Sequence, residues 1–514
     1  MESNEKDYKK SSKKKMGLVG IIFMIFVAVF GFGNVPLSFY KMGYAAIPWY
    51  VISAVLFFVP YALMFSEFGS AFKNERGGIY SWMEKSVGPK FAFVGTFMWY
   101  ASNIIWMVLV SSTIWIPVSN FIYGSDTTQS WALFGIKSLS GPKTVGIIGI
   151  LWIIFVSYVS SKGLDKIKKF TDVGGVAVVI VNIVVVVGAL AVFFAHGCHF
   201  AEPIEGLKTF TQSPNHAYAG NPLLTLAFVV YALFAYGGVE AIAGVVDETE
   251  NPEKNFPKGV MISALVITIG YSLCVFLVGM FTNWNTVMTA KTANQGNVTY
   301  VVMANLGYVL AQTFGASQAA SIVAGQWMSR VVAVLMFLPL AGAFFTLTYS
   351  PLKQLIEGTP KGLWPGRIGE VTDGVPKFAM AIQAIVVCVI IALTSFGGDS
   401  MAKLFDILVA MSNVATTLPC VFIAFAFGPF KRNTDIVKPF SAFKSVKSGV
   451  AWSLIVTITV ALANFFCIIQ PAMEGDIPTS IWSAIGPVIF TIVPLLMFRR
   501  YENKNKTNNN QRAI

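Results

Sequence analysis

The chain has 514 residues, 55% of them hydrophobic and 14% aromatic, but only 12% charged, against roughly 25% charged in soluble domains. A mean hydropathy of +0.66 excludes the string of soluble domains that the length alone would suggest. The net charge of +12 would suit nucleic acid only if the basic residues gathered on a soluble domain, and here they punctuate long apolar runs.

A helix that crosses the roughly 30 Å hydrocarbon layer needs about 20 apolar residues. In chain order such segments fall at 18–39, 45–65, 91–122, 144–160, 173–194 and 223–245, then at 260–281, 331–351, 378–396, 405–425, 450–469 and 481–498. The first is too long, and too poor in small residues at its end, for a cleaved signal peptide. The stretch 292–329 carries no charge before Arg330 but is diluted by Asn, Gln, Gly and Ser, which predicts a partly helical outer loop rather than a span. The expected fold class is therefore an all-α integral membrane protein of about twelve spans.

Basic residues alternate between the connecting segments. Lysines and arginines crowd 9–15, 73–90, 162–169, 353–377, 431–447 and the tail from Arg499. The opposite loops hold only Lys41, Lys137, Lys143, Lys208, Lys291, Arg330 and Lys403, so about thirty of the 37 basic residues lie on one side. The positive-inside rule makes that side cytoplasmic, with both termini inside the cell. The lysine-rich N-terminus is a solvated tail that can also touch anionic lipid.

Two spans are interrupted. In the first, Val29-Phe30-Gly31-Phe32-Gly33-Asn34-Val35-Pro36 breaks an apolar helix, since glycine costs about 1 kcal/mol against alanine and proline removes a donor. In the sixth, Phe234-Ala235-Tyr236-Gly237-Gly238-Val239-Glu240 does the same and adds a carboxylate. Backbone freed at membrane depth is tolerated where it is buried in protein or lines a cavity. The half-helix after such a break offers unpaired N–H groups and a positive dipole end to a carboxylate, and the carbonyls before it suit an ammonium or a cation. A zwitterionic amino acid needs both. Glycines also serve close helix packing, but breaks in the first and sixth of ten core spans are the positions expected of inverted five-helix repeats.

At these residues the chain resembles the amino acid–polyamine–organocation superfamily, in particular its glutamate/γ-aminobutyrate antiporter branch. The likeness rests on Gly31-Phe32-Gly33 and on Ser66-Glu67-Phe68-Gly69-Ser70-Ala71-Phe72, followed by Gly77-Gly78-Ile79-Tyr80-Ser81-Trp82 and Gly88. It continues through Tyr236-Gly237-Gly238-Val239-Glu240, Glu248, Asn251-Pro252 and Pro257, then Ser350-Pro351-Leu352, Leu363-Trp364-Pro365 and Val375-Pro376. It spans roughly 17 to 430. The resemblance implies a tail at 1–16, a first five-helix repeat at 17–196, and an inverted second repeat at 197–430 with an outer loop near 282–330. Two peripheral helices at 431–500 and a tail at 501–514 complete it. It implies an amino-acid substrate moved by alternating access, with a coupling proton or a counter-substrate, no cofactor and no enzymatic role. Gly31, Phe32, Gly33 and Asn34 would cradle the substrate carboxylate, Phe234 would gate, and Tyr236, Gly237 and Gly238 would form the unwound segment. Glu240 would couple substrate, gate or proton. Some proton-coupled members carry a lysine in the fifth span; this chain has none there, which leaves the energy source open.

Other polar residues in the spans have two readings. Asn103 and Asn413 either line the pathway or make interhelical hydrogen bonds worth about 0.6 kcal/mol each. Asp406 is either an ion pair with Lys403 at the outer end or a proton site. Glu67 anchors a helix end or a loop, and the acidic run Asp247, Glu248, Glu250 and Glu253 can meet basic residues of the first cytoplasmic loop. His196, Cys198 and His199 lack a fourth metal ligand nearby. A polyamine or cation-coupled symporter of the same fold, and a membrane-embedded transferase, are the alternatives.

Overall fold

The computed structural model describes residues 16–75, 78–139, 141–162, 168–218, 222–246, 249–360, 362–372, 375–397 and 400–512. The basic segment 9–15, Arg76, Gly77, 163–167, Asp247 and Glu248, all invoked above, lie outside them. Helices account for most of the described chain. In lipid each backbone polar group must be satisfied within its own segment, which an α-helix does.

The first span is split into α1a (Leu18–Val29) and α1b (Asn34–Met42). Helix α2 runs through Ala46–Ser53, a π-helical turn Ala54–Phe58 and Val59–Ala71. Then come α3 (Pro89–Thr113, continued by Trp115–Tyr123), α4 (Pro142–Ser160) and α5 (Lys168–Ala195). The sixth span is again split, into α6a (Pro222–Ala235) and a 3-10 segment α6b (Val239–Val245). Six unbroken helices follow: α7 (Pro252–Phe281), α8 (Gln318–Gly358), α9 (Lys377–Phe396), α10 (Met401–Arg432), α11 (Val446–Met473) and α12 (Ile477–Arg512).

The packing carries the repeat. Helix α2 packs on α7 and α4 on α9, while α5 packs on α8 as α10 packs on α3. Exchanging the first five helices for the next five leaves this set of pairs unchanged, as two related halves require. Helices α11 and α12 pack on α10 and on each other.

Exposure is inverted relative to a water-soluble protein. Leu151, Ile154, Phe155 and Tyr158 on α4, and Val176, Ile180, Ile183 and Val187 on α5, are exposed at helical spacing. So are Leu265, Ile269 and Leu273 on α7, Ile385 and Val389 on α9, and Ile458, Leu462 and Phe465 on α11. Apolar stripes of that length facing outward mark a lipid-facing surface. The broken helices, with α2, α3 and α10, are the buried centre.

One expected boundary is revised and one segment gains detail. The span placed at 331–351 is the middle of a 41-residue helix, Gln318–Gly358, about 60 Å long at about 1.5 Å per residue and so projecting beyond the hydrocarbon. The segment 292–329 holds a helix of its own, Val298–Thr313, whose Val298, Tyr300 and Met303 are buried and which packs against α1b, α5 and α8. The segment is partly helical, as expected, and its helix forms a cover packed on α1b.

Met16, the first described residue, and Phe498 of α12 lie on one face. Met16 bridges Thr249 and accepts a hydrogen bond from the Glu250 N–H, while Phe498 of α12 packs on Phe93 at the start of α3. On this face Lys73 pairs with Glu253, joining the end of α2 to the start of α7. Glu67 on α2 is fully buried and accepts from Lys431 Nζ of α10 (2.9 Å) and from the Phe443 N–H (2.8 Å). Lys431 also donates to Ser441 Oγ and the Phe443 carbonyl, so Glu67 anchors a loop.

Candidate functional site: two helix breaks at one level

Helix α1a ends at Phe30, whose backbone turns to an extended ψ of 92°. The Asn34 N–H returns to the Gly31 carbonyl and the Val35 N–H to the Phe32 carbonyl (both 3.0 Å). The N–H groups of Phe32 and Gly33 find no acceptor among the described residues. They open α1b, where the helix dipole adds positive potential. Gly31 is exposed and Gly33 and Asn34 partly so, whereas the Phe32 side chain is buried. Phe32 therefore contributes backbone, and its ring packs into the core. A Cβ on Gly33 would meet only Thr299 Oγ1 at 3.7 Å and Met336 Cε at 3.9 Å, so space is open beside it.

The second break is tighter. Gly238 has φ +114°, and a Cβ there would lie 2.7 Å from the Ala28 carbonyl oxygen of α1a. A glycine is required, and the two breaks touch through it. Gly237 faces Thr416 of α10, with 3.0 Å from an added Cβ to Thr416 Cγ2. Glu240, 5% exposed, folds one carboxyl oxygen back to accept the Gly238 N–H (3.0 Å). The other accepts from Tyr61 Oη on α2 (2.9 Å) and Cys420 Sγ on α10 (3.3 Å). One buried carboxyl thus ties the sixth-helix break to α2 and α10.

The group that joins the breaks was not visible in the sequence. Tyr271 of α7 accepts hydrogen bonds at its hydroxyl from the Gly31 N–H (3.0 Å) and from Asn34 Nδ2 (3.2 Å). It has one proton to donate, shared between the carbonyls of Ala235 (2.8 Å) and Val29 (3.0 Å). Buried polar backbone at both breaks is satisfied by one hydroxyl, which is what low-dielectric surroundings demand. Its ring stacks on Tyr50 (5.0 Å) and Phe30 (4.5 Å). Tyr236, fully buried, stacks on Phe58 (4.5 Å) and donates to the Tyr50 carbonyl (3.1 Å). Tyr236 frames the site from behind instead of lining it. A tyrosine in an apolar span carries no signal that separates this role from packing.

Phe234 is half-buried beside Tyr231 (6.3 Å between rings), and its carbonyl accepts the Gly237 N–H (2.9 Å). Asn103 donates to the Trp99 carbonyl of its own helix (3.0 Å), so its amide serves α3 locally. Asn413 is buried with its Oδ1 lacking a partner among the described residues. Asp406 does not pair with Lys403: that lysine pairs with Asp476, at the start of α12. Asp406 instead accepts from Gln295 Nε2 (2.5 Å) of the cover segment. His196 meets Thr313 Oγ1 (3.2 Å) and His199 its neighbour's carbonyl (3.0 Å). No group of three metal-binding side chains gathers among the described residues.

A family model described as "Amino acid permease" matches residues 16–495. The chain is 48% identical to the inner membrane transporter YjeM of Escherichia coli (strain K12), over 95% of this chain and 96% of that one. It is 25% identical to the aspartate/glutamate permease AcaP of Lactococcus lactis subsp. cremoris, over 94% of both. Against the glutamate/gamma-aminobutyrate antiporter of Lactococcus lactis subsp. lactis it is 23% identical, over 89% of this chain and 84% of the other.

Proposed function

Because the chain belongs to the amino acid permease family, a family of transporters and not enzymes, we propose that its substrate is a free amino acid held between the two helix breaks. The observation that carries this reading is the pair of unpaired N–H groups, Phe32 and Gly33, at the start of α1b, level with the Gly237–Gly238 backbone. The N–H groups bind the substrate carboxylate. The carbonyls ending α1a and α6a face the amino group, Phe234 closes the site, and Glu240 senses its state through the Gly238 N–H. Alternating access then moves the broken helices against the bundle of α3, α5, α8 and α10.

In this reading the face carrying Met16 and Phe498 is cytoplasmic, in agreement with the basic residues, and the cover helix Val298–Thr313 lies outside. The transport mode is exchange. The chain's likeness to a glutamate/gamma-aminobutyrate antiporter supports exchange.

Purified protein in proteoliposomes loaded with unlabelled amino acids tests this. Labelled substrate should accumulate only when the lumen holds a counter-substrate, and Gly33→Leu should abolish the signal without loss of folded protein. Absence of flux for every amino acid and amine in a panel overturns the reading. Single cysteines at the exposed Thr292 and at Lys504 test sidedness: an impermeant thiol reagent added to intact cells should label the first only.

A further inference from the structure

Lys41 is counted by its sequence position among the outer-loop residues, but it occupies the last turn of α1b. It packs near α6a and stays partly exposed. Its Nζ sits 5.7 Å from the ring centroid of Tyr231. The same ring donates through its hydroxyl to the Asn34 carbonyl (2.9 Å) at the base of α1b and stacks on Phe234. One aromatic ring therefore reaches from Lys41 to the helix break. Eight residues of helix separate Lys41 from Gly33, about 12 Å along the axis. Helical side chains lean toward the N-terminus, so the four-carbon stem returns roughly half of that toward the break.

Charge inside a membrane protein is costly unless it is paired or serves a pathway. Among the described residues no carboxylate forms an ion pair with Lys41. Asp406 is the carboxylate that acts on it electrostatically, and Asp406 is held by Gln295 of the cover segment. Cys467 of α11 also lies near it. Helix α1b thus carries a cation in its last turn and unpaired backbone N–H groups at its start, with the Tyr231 ring reaching both ends. Resting on the site proposed above, we infer that Lys41 receives the side-chain carboxylate of an acidic amino acid whose α-carboxylate binds Phe32 and Gly33. A dicarboxylic amino acid has two anionic groups a few bonds apart, which is the pattern these two ends match. A neutral amino acid leaves Lys41 without an anion.

The test compares glutamate and aspartate with their uncharged isosteres, glutamine and asparagine, in proteoliposomes. Wild type should prefer the acids. Lys41→Met should raise their KM at least tenfold and leave the KM of the amides within about threefold. Lys41→Arg should restore preference for the acids, and Asp406→Asn should keep it. Preference of the wild type for neutral or cationic amino acids overturns this inference while leaving the transport reading intact, whereas no flux at all overturns both. An unchanged KM for the acids in Lys41→Met, or an equal loss for acids and amides in a folded variant, also overturns it. If Lys41→Met does not fold, the wild-type ranking of glutamate against glutamine decides.

Discussion

The two helix breaks are built from similar residues and do different work. Around Gly33 the backbone is nearly helical, an added Cβ meets only ordinary contacts, and two N–H groups are free. Around Gly238 the backbone is left-handed, an added Cβ strikes the Ala28 carbonyl, and the N–H is already capped by Glu240. The first break leaves the Phe32 and Gly33 N–H groups without a partner among the described residues; the second gives its Gly238 N–H to the protein. A glycine pair in a membrane helix can therefore be a receptor or a pinned joint, and its surroundings decide which.

The largest effect is expected at the pinned joint. Gly238→Ala forces a side chain into a positive-φ conformation and against a backbone oxygen that cannot move aside, which costs about 3 kcal/mol or more. Its melting temperature in detergent should fall sharply and transport should vanish; a normally stable, active variant would remove the distinction between the breaks. Tyr271→Phe comes next. It leaves the Asn34 amide without its acceptor and the Gly31 N–H with only the Val29 carbonyl, at about 1–3 kcal/mol for the unsatisfied group, and should lower transport at least tenfold with the protein still folded. Activity near wild type would mean that the breaks are not joined through that hydroxyl.

Glu240→Gln sharpens the comparison further. Both carboxyl oxygens accept hydrogen bonds, and the amide can keep its oxygen on Gly238 only if the Tyr61 hydroxyl turns to accept from its nitrogen. Folding and binding should therefore survive within about tenfold, an affinity change of roughly 1.4 kcal/mol, while the pH dependence of transport flattens. A wild-type pH profile would assign Glu240 a purely structural part and direct the search for coupling to Asp406. The smallest effect belongs to the open break. Gly33→Ala places a methyl group beside Thr299 and Met336 without collision, so stability should stay within about 1 kcal/mol and substrate KM should rise severalfold. Loss of folding there would make both breaks pinned.

The spans and both breaks were legible because they depend on hydropathy and on Gly and Pro, which act locally. Glu240 stood out for a similar reason, as a carboxylate amid Gly, Val and Ala. What escaped depends on contacts between distant segments. The start of α8 at Gln318 is helical without being strongly apolar, so a hydropathy reading began it at residue 331. Tyr271 and Tyr61 read as aromatic packing until their hydroxyls are placed against α1a, α6a and Glu240. Lys403 had a carboxylate three residues along its own helix, yet it takes Asp476 of α12, a choice that only the arrangement of helix ends can make. Lys41 counted as a loop charge because the apolar run ends at Phe39, although Gly43, with φ +58°, caps α1b two residues beyond the lysine.

The buried pair of Glu67 and Lys431 has a consequence for how the protein is made. The two residues are 364 positions apart, and the Phe443 N–H that also serves Glu67 comes later still. At about 5–20 residues per second the ribosome needs roughly 20–70 s to deliver the lysine after the glutamate. Helix α2 must therefore enter the bilayer with its carboxylate still hydrated at the membrane face. Locking of α10 and the 433–445 connection onto α2 belongs to the last stage of assembly, and a nascent chain halted before α10 holds an unmatched charge where the finished protein is dry.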